Sequence, residues 1–321
     1  MDDGATALRN KPRPPSPWGF TRPTRPSAQP HHRRRRAIAL GALAAVALIA
    51  GALTGAGGGS TVHPVVDKAP GYFTRLQTVA GTGSGSFAAA EKAAENQAIT
   101  RTLSYTPYVR LAGSQHREVA LTFDDGPGPY TEQIVSVLQQ HNTPATFFEV
   151  GVVERDFHAA TSLIASDGYP IGDHTENHAA MSTLSRRDQR AQLLQQIAAT
   201  GRYGAPYPRL FRPPYGVWNS TTLSLLRKYR MLMVLWTVDT SDYRELGVAA
   251  IVHSAVAGAR PGAIILLHDA GGNRSETVAA LPRIIRALRR RGYKFVTVPK
   301  LLLDNPAPAD QQISAVIGTG G

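Results

Sequence analysis

"VALTFDDGPGPY", residues 119–130, runs from an apolar stretch, Val119–Phe123, into two adjacent acids, Asp124 and Asp125, and then into Gly-Pro-Gly-Pro. A short apolar run closed by turn-forming residues reads as a buried strand. Asp and Gly suit turns, so on its own this ending implies no function. Its company along the chain decides the matter. Six further short apolar runs follow the same plan: Ala145–Val150, Tyr169–Gly172, Leu210–Phe211, Met231–Trp236, Ala263–Leu267 and Phe295–Val298. Between them lie helical stretches such as Thr131–Gln140, Arg186–Thr200, Thr221–Tyr229 and Glu276–Arg291. Strand–helix alternation of this kind predicts an α/β fold, with parallel strands and helices packed outside, as a barrel or an open sheet. In a barrel, chemical groups gather where strands end.

The chain has 321 residues, enough for one core of roughly 200 residues plus long appendages. Net charge is +12, and residues 1–36, with nine Lys/Arg against two Asp, hold +7 of it. The basic balance therefore belongs mostly to a tail, and no zinc-finger spacing or basic–aromatic interleaving points to nucleic acid. With no cysteine, thiolate metal sites, disulfides and Cys nucleophiles are excluded, so any metal must be held by His and carboxylate.

Residues 1–36, rich in proline and closing on Arg33–Arg36, read as a disordered basic tail. "AIALGALAAVALIAGAL", Ala37–Leu53, is uncharged, and the stretch 37–56 reads as a transmembrane signal anchor. The arginines before it hold the tail in the cytoplasm and send the rest outside; a cleaved signal peptide, giving a secreted protein, is the rival reading. Residues 57–115 read as an extracytoplasmic spacer with one helix around Phe87–Thr102, residues 116–303 as the folded domain, and 304–321 as a C-terminal tail.

Five clusters of chemical groups fall at or just after the ends of apolar runs: "TFDDGP" (122–127), "GDHTENH" (172–178), "FRPPYG" (211–216), "WTVDTSDY" (236–243) and "LLHD" (266–269). His174 and His178, four apart, can face one ion. The zincin pattern does not apply, because Glu176 comes one residue too late, and Asn177 breaks its inverted form. One carboxylate of the Asp124–Asp125 pair would complete an Asp-His-His set for a divalent ion.

These clusters, in this order and together with "PATFFEVG" (144–151), resemble the polysaccharide deacetylases of carbohydrate esterase family 4, the NodB-homology domain, over about residues 116–303. The resemblance implies a distorted (β/α) barrel of about seven parallel strands. It implies a metal held by Asp125, His174 and His178, zinc foremost, with cobalt or nickel as alternatives. Asp124 would be the general base, Arg212 its orienting partner, the Tyr215 backbone N–H the oxyanion donor, and His268, paired with Asp242, the general acid. Leu266 would line the pocket for the acetyl methyl, with Tyr215, Tyr243 and Trp218 at the sugar. Two positions depart from the family pattern: Ala179 replaces the usual Pro after the second histidine, and Tyr243 the usual Trp.

A base and an acid flanking a Lewis-acid site suit amide hydrolysis, because a departing amine must be protonated. The reading is a membrane-tethered, metal-dependent hydrolase of carbon–nitrogen bonds other than peptide bonds. It would remove N-acetyl groups from an acetylated extracellular polysaccharide, peptidoglycan or a chitin-like polymer. An O-acetyl glycan esterase, xylan-type, and a non-catalytic cell-surface glycan-binding domain are the alternatives. Asp239 and Asp269 read as turn residues, Trp236 as core, and Glu149 carries no argument that it reaches the site.

Overall fold

The computed structural model describes residues 84–311. The basic tail, the apolar stretch 37–56, the first part of the spacer and residues 312–321 lie outside the described residues, and so does the reading of their topology. Among the described residues no helix is long and apolar enough to cross a membrane.

Helix α1 (Ser84–Leu103) leads into β1 (Tyr108–Val109) and then into the long strand β2 (Glu118–Gly126). The order continues α2 (Thr131–Gln140), β3 (Thr146–Glu149), α3 (Gly151–Glu154), α4 (His158–Ser166), β4 (Ile171–Asp173), α5 (Arg186–Arg202), β5 (Leu210–Phe211), α6 (Ser220–Lys228) and β6 (Leu232–Val234). It closes with β7 (Val238–Asp239), α7 (Val248–Gly258), β8 (Ala263–His268), α8 (Ser275–Arg290), β9 (Lys294–Phe295) and α9 (Val298–Asp304). The strands pair in parallel in the order β1-β6-β5-β4-β3-β2-β8-β7, and β9 joins the start of β2. The sheet is a curled, open barrel: β1 and β7 do not pair, and Leu111 instead makes an antiparallel bridge to Ala263.

Period-two alternation sorts the strand side chains onto two faces. Ala120, Phe148, Leu210, Leu232, Val234, Ile264 and Leu266 share one buried cluster, filling the barrel. Their neighbours Val119, Leu121, Phe123, Phe147, Ile265 and Leu267 share another with helix residues such as Ile134, Leu138, Ile251, Leu281 and Ile284. Phe123 and Phe147 stack there at 5.3 Å. Register pairs Thr122 with Leu266 and Asp124 with His268, so the apolar layers of the interior end in a charged one at the C-terminal ends of the strands.

The structure corrects the sequence reading in three places. There are nine strands among the described residues, not about seven; β1 and β7, two residues each, fall in stretches where no apolar run is read. The stretch read as a spacer up to residue 115 belongs to the domain from Ser84 on: α1 buries Ala98, Ile99 and Thr102, packing against α9 and β6. Ala-rich composition hides this, since alanine fits an exposed helix and a tight helix interface equally well. At the other end, residues 304–311 are not a free tail. Asn305 is buried on Glu118, and the Gln311 side chain accepts from the N–H groups of Arg110 and Leu111.

Candidate active site

Asp124 and Asp125 end β2, and their side chains find different partners. Asp124 Oδ1 accepts from Arg212 Nη1 at 2.7 Å. Arg212 follows β5 and is fully buried, with Nε on the Val234 carbonyl at 3.0 Å, Nη1 also on Thr122 Oγ1 at 2.8 Å, and its guanidinium over the Phe148 ring at 4.1 Å. A buried cation with every edge occupied is a rigid one, so Asp124 is held in a single orientation.

Asp125 turns to both histidines, of which Asp124 Oδ2 approaches only His174, at 3.8 Å. Asp125 Oδ1 lies 3.4 Å from His174 Nε2 and 3.1 Å from His178 Nε2. Burial is the largest influence on its carboxyl and raises the pKa, yet the hydrogen bonds to His174 and His178 overcome it and hold the group well below the ordinary value. His174 Nδ1 faces the Arg212 carbonyl at 2.7 Å, so this nitrogen donates there and Nε2 is the one turned toward Asp125. His178 Nδ1 lies 3.1 Å from the Tyr215 hydroxyl, and burial lowers its pKa despite the pull of Asp125.

The loop carrying the two histidines is shaped by backbone bonds. His174 N–H donates to the Glu149 carbonyl, and Asp173 Oδ1 accepts from Thr175 N–H at 2.7 Å, drawing Thr175 to φ 68°. Among the described residues eight non-glycine positions have positive φ, and six lie in these strand-end loops: Asp125, Thr175, His178, Tyr215, Ser241 and Glu245. Left-handed backbone is costly for such residues and gathers where side chains must be aimed.

The second centre is built from β8 and the turn after β7. Asp242 is buried; its Oδ1 meets His268 Nδ1 at 2.7 Å, and its Oδ2 accepts from the His268 N–H at 2.9 Å and from Thr277 Oγ1 at 2.8 Å. Burial alone would lower the His268 pKa, but the attraction and hydrogen bond of Asp242 push it up to about 9. At neutral pH His268 is thus a cation, its Nε2–H a donor.

The remaining residues singled out in the sequence fall as follows. Tyr215 is half exposed at φ 60°, its ring 4.6 Å from His178, and its N–H takes no part in the turn bonds Gly216 N–H to Pro213 and Val217 N–H to Pro214. Tyr243 is half exposed at the rim, its ring set edge-on to that of His268 with centroids 5.4 Å apart. Leu266 is buried one layer beneath His268. Trp218 packs 6.2 Å from Tyr108, on the cluster of Met181, Phe211 and Leu225. Glu149 points out of the barrel, toward Thr161 and Glu154, where burial and the Glu154 charge raise its pKa well above normal.

Asp269, set aside in the sequence as a turn residue, is fully buried behind Asp124. Its N–H donates to the Asp124 carbonyl, and its Oδ2 accepts from Thr131 Oγ1 at 2.5 Å. Burial first, then the nearby Asp125 and Asp124, lift it to about 7. The signal available was its place beside His268 in "LLHD".

Asp125, His174 and His178 bring one carboxylate and two imidazole donors within 4.8 Å of one another, the one group of this kind among the described residues. Asp125 Oδ1 is buried between the two Nε2 atoms, 3.4 and 3.1 Å away. Converging lone pairs of this type suit zinc or a similar divalent ion.

The fold and the site define an α/β-barrel protein with a candidate metal set, an arginine-held carboxylate and an aspartate-held imidazolium at one mouth. Residues 112–234 match the polysaccharide deacetylase family. The chitooligosaccharide deacetylase of Sinorhizobium fredii is 36% identical over 213 residues, which are 62% of this chain and 99% of that protein. Among solved structures, a peptidoglycan N-acetylglucosamine deacetylase with a bound N-oxidanyl-benzamide superposes with a TM-score of 0.60 at 31% identity, over 65% of this chain and 97% of that one. A family 4 pseudoenzyme from Bacillus anthracis superposes at 0.58 with 27% identity, over 61% and 69%. The chain belongs to the polysaccharide deacetylases of carbohydrate esterase family 4, the NodB-homology group.

Proposed function

We propose that the protein is a metal-dependent N-deacetylase of N-acetylated amino-sugar polymers. The observation that carries this is the division of labour between two adjacent carboxylates, one held by a buried arginine and one aimed at two imidazoles. Asp125, His174 and His178 would hold a divalent ion, zinc foremost. When bound, such an ion activates water and polarises a carbonyl as a Lewis acid. Asp124, fixed by Arg212, accepts the proton of the attacking water. The Tyr215 N–H donates to the oxygen that gains charge as the carbonyl carbon becomes tetrahedral. His268, kept protonated by Asp242, gives its proton to the departing nitrogen, without which the amine cannot leave. Leu266 closes the floor where a methyl group would rest, and Tyr215 and Tyr243 flank the mouth as sugar-facing walls.

The relatives' names point to peptidoglycan or chitooligosaccharide as polymers, and an acid of pKa about 9 favours amides over esters as substrates. A non-catalytic reading, as in the pseudoenzyme, is disfavoured because the base, the acid and the three donors are all present in bonded positions. The arginine run and apolar stretch 37–56 support a membrane tether with an external domain, or a secreted form if the segment is cleaved.

Acetate release from chitooligosaccharides and from peptidoglycan fragments tests the proposal. Activity abolished by chelation and restored by zinc supports it; a metal-free sample that is equally active, or a metal-loaded one that releases no acetate from either, refutes it.

A further inference from the structure

The pole opposite the candidate active site carries a cavity of about 260 Å³ between α1 and α6. It opens at the N-terminal ends of the strands, since Arg209 immediately precedes β5 and Arg230 precedes β6. Its walls include Leu103, Leu226 and Met231, and three guanidiniums, those of Arg209, Arg227 and Arg230, share it.

None of the three arginines pairs with a carboxylate among the described residues. Arg209 is fixed by two neutral acceptors, the Arg230 carbonyl at 3.0 Å and Thr100 Oγ1 at 3.1 Å, which leaves its other N–H groups unused. Burial, and then the like charge of Arg230, lower its pKa. Arg230 also has φ 54°, just past the end of α6, where glycine is the usual residue. Outside the loops of the active-site mouth only Asn142 shares this strain, and asparagine tolerates it.

Planar guanidiniums bind phosphate oxygens in pairs. An inorganic phosphate would leave the leucine and methionine walls wet, so an amphiphilic phosphodiester fits better. Exposed Arg117, Arg260, Arg291 and Lys294 stand ahead of or at the start of other strands on the same pole, while Glu118 and Asp167 there are already bonded to Asn305 and Gln139. An extended anionic surface would engage these cations together with the cavity, as a small soluble ester would not.

We propose that this cavity takes the headgroup of an anionic phospholipid, docking the barrel by its N-terminal pole and directing the catalytic mouth away from the lipid. The inference rests on the cavity and the exposed cations of the same pole and holds whether or not residues 37–56 span a membrane.

The test is photo-crosslinking of the full chain in mixed micelles containing phosphatidylglycerol with a photoreactive acyl chain, with adducts mapped by mass spectrometry so that labelling near residues 37–60 is scored separately. Adducts are expected in peptides covering residues 100–107 and 222–231, roughly tenfold above those from the matching phosphatidylcholine. Arg227→Gln/Arg230→Gln, which leaves the side-chain bonds of Arg209 in place, should lower them about tenfold with an unchanged melting temperature. Equal labelling by the two lipids, or labelling unaffected in the variant, overturns the proposal. So does saturable, Arg-dependent binding of glycerol 3-phosphate with no lipid adduct in the cavity.

Discussion

His174 and His268 stand at the same mouth and differ in what their Nδ1 atoms touch. His174 meets a backbone carbonyl, His268 a buried carboxylate. The carbonyl accepts from Nδ1 and turns Nε2 toward Asp125 in the candidate metal set. The carboxylate keeps the ring charged to about pH 9 and makes Nε2 a proton donor. On the proposed reading one side chain would serve as ligand in one place and as acid in the other, and the partner behind the ring would decide which.

Removing the carboxylate partner should break that contrast most severely. Asp242→Asn is expected to lower turnover on N-acetyl substrates by roughly 10²–10⁴. It should also draw the alkaline limb of the pH–rate profile toward acid, because an imidazole without its anion deprotonates sooner. An alkaline limb that stays near pH 9 in this variant would show that His268 is not the acid. The same pair has a stability signature. The pKa is raised on folding, so its stabilisation is complete below the unfolded value of about 6.5 and is lost as pH rises through about 9. Unfolding midpoints of the parent and Asp242→Asn should accordingly differ most at pH 6 and converge above pH 9.

The ligand side can be sharpened through His178, whose partner is a side chain. Tyr215→Phe removes the hydroxyl 3.1 Å from His178 Nδ1 and should weaken zinc binding about 10-fold, within the usual range for an outer partner of a ligand. Competition with a chelator measures it; unchanged affinity would mean that the hydroxyl does not orient the ring. Smallest for the chemistry is Ile99→Ala in α1. It should cost about 2–4 kcal/mol of stability by denaturant titration and leave turnover per folded molecule as it was.

The sequence carried the site more fully than the fold's edges. Strand ends such as "TFDDGP" and "LLHD" announce themselves because polar groups follow apolar runs, and the register that pairs Asp124 with His268 brings them together. Tyr108–Val109 pairs a half-buried residue with a buried one and stands in no apolar run, and α1 has too little contrast between its faces for its docking to be read. Asp269 shows the limit at the site itself. Its sequence suits a turn, and only packing reveals that the aspartate is buried, with its N–H on the Asp124 carbonyl.

The most direct test of the account is the zinc content of two purified variants, measured beside acetate release. Asp124→Asn should keep its zinc, since Asp125, His174 and His178 remain, while losing roughly 10²–10⁴ in turnover. Asp125→Ala should lose zinc and activity together. Zinc lost from Asp124→Asn and kept by Asp125→Ala would reverse the assignment, and full activity in both would contradict a catalytic role for the pair.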